Sequence, residues 1–131
     1  MGNPLETEKI TINLGVIDLG QIDLLVGEGF YSNRTDFIRT AIRNQVAAHA
    51  EAVKQTVARR TLTLGLQHFS KRDLEAARAA GTKLEIRVLG LAVIANDVTP
   101  ELAREAIGSL LVLGALQASA AVKAALADRT Q

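Results

Sequence analysis

Gly29-Phe30-Tyr31-Ser32-Asn33-Arg34-Thr35-Asp36-Phe37-Ile38-Arg39 is the most informative string in this chain of 131 residues. Glycine supplies a tight turn, and a polar cluster then precedes an apolar-periodic run. Asn33 stands where an N-cap belongs, with Asp36 at the third helical position. Phe37, Ile38, Ala41, Ile42 and Val46 fall on one helical face, and Ala50, Val53 and Val57 continue it. Alanine is frequent from Arg34 to Arg60, and glycine and proline are absent, so one long helix is expected there.

Upstream, Asp18 and Gln21 have capping-box spacing, Ile17 and Ile22 are placed as a hydrophobic staple, and Ile22, Leu25 and Val26 form a stripe. A short helix is expected to end at Gly27 and Gly29. Before it, Glu8 to Val16 alternates with period two: Ile10, Ile12 and Leu14 on one face, Lys9, Thr11 and Asn13 on the other. That predicts a half-buried strand. No second strand of this type lies nearby, and a lone strand is unstable. The simplest partner is the same strand from a second chain.

Strand, short helix, glycine turn, long helix: over Glu8 to Ala47, about a third of the chain, this order resembles the ribbon-helix-helix family of the Arc, MetJ and CopG type. The residues that carry the resemblance are Lys9-Ile10-Thr11-Ile12-Asn13-Leu14 and the string from Gly29 to Arg39. It implies a homodimer binding double-stranded DNA. Ile10, Ile12, Leu14, Phe37, Ile38 and Ile42 would form the dimer core. An antiparallel two-stranded ribbon fits the major groove. There Lys9 suits guanine acceptors, Asn13 suits adenine, and the Thr11 methyl suits thymine. The amides of Ser32, Asn33 and Arg34 open a helix, where a phosphate is favoured. Alternatives remain at each position. Lys9, Thr11 and Asn13 can be a solvated strand face, Ser32 and Asn33 serve as caps either way, and Arg34 and Arg39 can be solvated charges.

The second half is rich in structure and poor in chemistry. Leu62-Thr63-Leu64-Gly65-Leu66, Val88-Leu89-Gly90-Leu91 and Leu113-Gly114-Ala115-Leu116 place glycine at intervals of about 25 residues, the range of short β/α repeats. Each is followed by a capped helix: Ser70 before Lys71 to Ala80, Thr99 before Pro100 to Ile107, Ser119 before Ala120 to Ala127. Parallel strands with helical crossovers are expected. The fold class is therefore α+β: a ribbon-helix-helix dimer domain over 1–60, then a small solenoid-like β/α repeat module over 61–131. A ferredoxin-like sensor domain is the alternative, but needs a fourth strand. The uncharged run Leu110-Leu111-Val112-Leu113 is expected to be an exposed edge, covered incompletely by the last helix, through which dimers join into a higher homo-oligomer.

Composition bounds the rest. The chain is 48% hydrophobic with 3% aromatic residues, so Leu, Ile, Val and Ala must build the core. It has no cysteine, which removes disulfides, thiolate metal sites and a cysteine nucleophile. His49 and His68 are far apart with no ligand at metal spacing, so neither metal nor cofactor is expected. There is no phosphate loop and no nucleophile elbow, and Asp73, Glu75, Glu101 and Glu105 have basic neighbours on helices, so no enzyme is expected. The polar opening Met1 to Glu8 predicts no secretory signal, no run is long enough to span a membrane, and a cytoplasmic location is expected. A net charge of +1 is low for a nucleic-acid binder, so any positive patch must be local. The expected function is a sequence-specific DNA-binding regulator, a repressor. The alternatives are a self-assembling scaffold, or an antitoxin, whose toxin-binding tail is often disordered, unlike the capped apolar half here.

Overall fold

The computed structural model describes residues 7–131; residues 1–6, part of the opening read for a signal, lie outside them. Two units are distinguished, Thr7–Gln55 and Thr56–Gln131.

In the first unit, residues 7–15 join no strand among the described residues. Helix α1 (Val16–Gly27) begins earlier than its capping signal suggested. Gly15 is the N-cap, without a side-chain cap bond, and Asp18 lies in the first turn. The Asp18–Gln21 spacing is thus internal to the helix. Asp18 still faces the positive end of the helix dipole there, which favours an acid. The staple also fails, because Ile17 is itself helical and exposed. The far end follows the expectation. The Gly29 amide donates to the Val26 carbonyl and the Phe30 amide to that of Leu25. Gly29 has φ +87°, giving a Schellman stop that only glycine adopts readily.

Helix α2 (Arg34–Ala48) starts at the predicted cap: the Asn33 side chain accepts from the Asp36 amide at 2.8 Å. The expected single helix to Arg60 is interrupted at His49, and α3 (Ala50–Arg59) follows. At the break the His49 amide donates to Val46, three residues back. Nothing on α2 is buried within the chain. Without packing to hold it, a helix depends on propensity, and histidine is a weak former.

The second unit is a parallel sheet in the order β1 (Thr63–Phe69), β2 (Leu84–Ile94), β3 (Ile107–Gln117). Helices α4 (Lys71–Ala79), α5 (Pro100–Ala106) and α6 (Ala120–Ala125) alternate with the strands. Their predicted caps are in place: Ser70 and Asp73 form a full capping box, Thr99 accepts from Leu102, and Ser119 accepts from Val122. The core lies on one face of the sheet. Ile86, Val88, Ala92, Ile94 and Leu110 meet Leu74 and Ala77 of α4, Leu102, Ala103 and Ala106 of α5, and Val122 of α6. Among the described residues there are three strands, all parallel, and not the four of a ferredoxin-like domain.

The three glycines read as a repeat stand in register across the sheet, Gly65 beside Gly90 beside Gly114. Their φ values are +119°, +139° and +122°, a conformation that side chains rarely adopt. A Cβ on Gly90 would meet the Gly65 carbonyl, and one on Gly114 the Gly90 carbonyl, with the carbonyl carbon at 3.0 Å in both cases.

The run Leu110 to Leu113 lies on an edge strand, as expected, and Leu113 is exposed, but the rest of the run is better covered than its composition suggested. Leu110 and Leu111 are buried, Val112 packs on the helix-side core, and α6 buries Val122 completely with Leu126 behind it. The chain end also closes on β3: Thr130 bridges to Leu110, and the Gln131 amide donates to the Leu110 carbonyl at 2.8 Å.

Candidate nucleic-acid interface

Residues 7–55 bury a single large apolar side chain within the chain, Ile22 at 6% exposure. Ile10 and Ile12 stand 75% and 65% exposed, and Ile42 is also exposed. A unit with so small a core cannot hold itself together in water. These side chains are gathered rather than scattered. Ile10, Ile12 and Leu14 from the opening segment, Ile22 and Leu25 from α1, and Phe37, Ile38 and Ile42 from α2 line one open groove of about 750 Å³. All six residues expected to form a dimer core border it. Tyr31 braces the start of α2 by an edge-to-face contact with Phe37, ring centroids 4.9 Å apart.

The polar set of the extended opening segment is divided by that groove. Thr11 and Asn13 are exposed and outside the groove, and Lys9 is exposed on its rim. From Ile10 to Leu14 the alternation separates groove-lining apolar residues from Thr11 and Asn13, and it does not extend to Lys9.

At the start of α2 the three anchor residues differ. The Ser32 amide already donates to the Asp36 carboxylate at 2.9 Å. Asn33 spends its side chain on the Asp36 amide. The amides of Asn33 and Arg34 have no acceptor within the chain among the described residues, so they are the ones open to an anion. The Arg34 guanidinium is held by Asp23 of α1 in a fork, Nε to Oδ1 and a terminal nitrogen to Oδ2, both 2.8 Å. The bond from Arg34 keeps the Asp23 carboxyl below its ordinary range, with desolvation opposing and charge attraction assisting. Asp23 keeps Arg34 protonated more firmly still. Both side chains are about half exposed. The pair is thus a loose clamp open to a competing anion. Nothing local in the sequence signals it, since Asp23 and Arg34 lie on two helices that meet only after the glycine turn is made.

Among the described residues no group of three or more His, Cys, Asp or Glu could hold a metal. No helix there is long and apolar enough to cross a membrane.

The family model described as the ribbon-helix-helix transcriptional regulator family matches residues 5–123. No curated protein and no solved structure matches the chain.

Proposed function

Because the chain belongs to the ribbon-helix-helix transcriptional regulator family, we propose that it is a sequence-specific DNA-binding homodimer acting as a repressor in the cytoplasm. The open apolar groove over a single buried side chain carries this proposal. The groove needs a partner of its own kind, and two opening segments paired antiparallel would close it and turn Lys9, Thr11 and Asn13 outward together. In the major groove those three would read base edges, while the Asn33 and Arg34 amides, with Ser32 shaping the turn, would seat a backbone phosphate. Dimer and DNA work fall to the part before about residue 60. The remainder, a short solenoid-like stack of three β/α units, serves assembly between copies. Binding to DNA upstream of the protein's own gene, titrated by fluorescence anisotropy at two salt concentrations, tests the whole. No binding to any fragment at low salt would leave a scaffold role instead.

Two substitution sets separate base reading from anchoring. Asn13→Ala is expected to cost about 1–3 kcal/mol on the specific site and little on random DNA. Equal losses on both would remove Asn13 from base reading. Arg34→Ala is expected to weaken both DNAs alike and to lower the salt slope by about one. Asp23→Asn, which frees the guanidinium, is expected to steepen that slope and tighten random-DNA binding. If neither variant moves the slope, Arg34 stays with Asp23 in the complex and does not reach phosphate.

A further inference from the structure

Every helix of the second unit that joins its main core packs on one face of the sheet. The register defines the other face. Leu64, Leu89 and Leu113 form one cross-strand row, and Leu66, Leu91 and Ala115 the next. None of these leucines belongs to the helix-side core. Leu64, Leu66 and Leu113 are 68%, 53% and 42% exposed. One end of this face is partly closed by the chain itself, where Arg87 donates to the Arg60 carbonyl at 2.9 Å and Leu111 is buried. Elsewhere the rows are open at their outer strands, where Leu64, Leu66 and Leu113 are exposed, while on the central strand Leu91 is buried and Leu89 half-buried between them. All-parallel sheets are found with both faces covered, because their strands are apolar on both sides. A leucine face open at its outer strands is incomplete on such a sheet.

We propose that this face is covered by the same face of the second chain in the dimer, so that the two sheets pack leucine row against leucine row. The proposal rests on the ribbon dimer above and assigns it a second contact. Size selects the occupant. Three strands about 4.8 Å apart and some six residues long present roughly 300–500 Å². An independent partner needs about 800 Å² per side. A face this small holds only something already tethered nearby, and a paired ribbon supplies the second copy at an effective concentration of order millimolar. Chemistry agrees. A surface meeting itself across a two-fold axis brings like against like, so charged side chains would repel, and the two rows contain none. The edge of β3 is the poorer surface, since Thr130 and Gln131 already occupy it at Leu110.

The chain has no cysteine, so single cysteines report cleanly. Leu66→Cys marks the face, and Ala121→Cys, exposed on α6, is the control. In the full-length protein at micromolar concentration, Leu66→Cys is expected to react with a thiol reagent at least ten-fold more slowly than Ala121→Cys. Leu89→Cys, on the central strand, is expected to give a two-chain product and no four-chain product with a short bis-maleimide. A dimer that binds DNA but leaves Leu66→Cys as reactive as the control overturns the face pairing alone. Protection without a two-chain product overturns it in favour of cover from the same chain, and products linking separate dimers overturn it in favour of inter-dimer contact. A monomeric wild type that binds no DNA overturns the ribbon dimer and this pairing together.

Discussion

Gly90→Ala is expected to destabilise the three-stranded sheet by at least about 3 kcal/mol, enough to unfold much of the second unit at room temperature. Two effects add. The first is torsional: φ at Gly90 is +139°, and a side chain held there costs about 1–3 kcal/mol. The second is steric: the new methyl would meet the Gly65 carbonyl, which is backbone and cannot swing aside. Relief requires β1 and β2 to part, with loss of ladder bonds in a sheet of three strands. Gly65→Ala isolates the first effect. Gly65 has φ +119°, but its added Cβ would meet nothing within 4 Å, so only the torsional cost of about 1–3 kcal/mol remains. Gly114→Ala should resemble Gly90→Ala, because its Cβ meets the Gly90 carbonyl. Urea titrations followed by circular dichroism should rank the midpoints wild type, then Gly65→Ala, then the other two together. Equal midpoints for Gly65→Ala and Gly90→Ala would mean that the close approach of carbonyl to Cα contributes nothing.

That glycine row was legible in the sequence because one backbone condition repeats in three strands and no other residue meets it. The caps at Asn33, Ser70, Thr99 and Ser119 were legible for a similar reason: side chain and acceptor site lie within three residues, so nothing distant can change the outcome. Asp18 misled because a carboxylate is favourable anywhere in the first turn, and the true start at Gly15 depends on an extended backbone that no side chain announces. The interruption at His49 was invisible because the apolar stripe runs on past it through Ala50, Val53 and Val57 with helical spacing. At Leu110 to Leu113 the sequence shows four apolar residues in a row, and periodicity cannot say which point inward. Register says it: Val112 goes with Val88 to the helix side, and Leu113 goes with Leu89 to the open side. Asp23 against Arg34 was out of reach for another reason, since an ion pair across a turn needs the turn's geometry first.

Ile12→Asp is expected to abolish the dimer and the fold of the first unit together. Within one chain the substitution is harmless on its face, because Ile12 is 65% exposed and an aspartate there would be solvated. A self-sufficient monomer would accept it with an effect within about 0.5 kcal/mol. In a paired ribbon the same atoms lie between two sets of helices. Burying an unpaired carboxylate there costs about 3–5 kcal/mol, once for each chain, and the two copies repel across the ribbon. Such a loss approaches the whole stability of a small domain. The leucine face of the sheet is too small to hold two chains without the ribbon, so light scattering at micromolar concentration should give a monomer. Amide resonances of the second unit should persist, since its core of α4, α5 and α6 on the sheet is internal to one chain, while those of residues 7–55 should collapse to disordered positions. Thr11→Asp is the matched control, one residue away on the opposite side of the alternation. It should leave the dimer mass and both sets of resonances in place and weaken DNA binding through repulsion from the phosphates. A well-folded Ile12→Asp monomer would show that the groove closes without a second chain, and the ribbon would then have no reason to form.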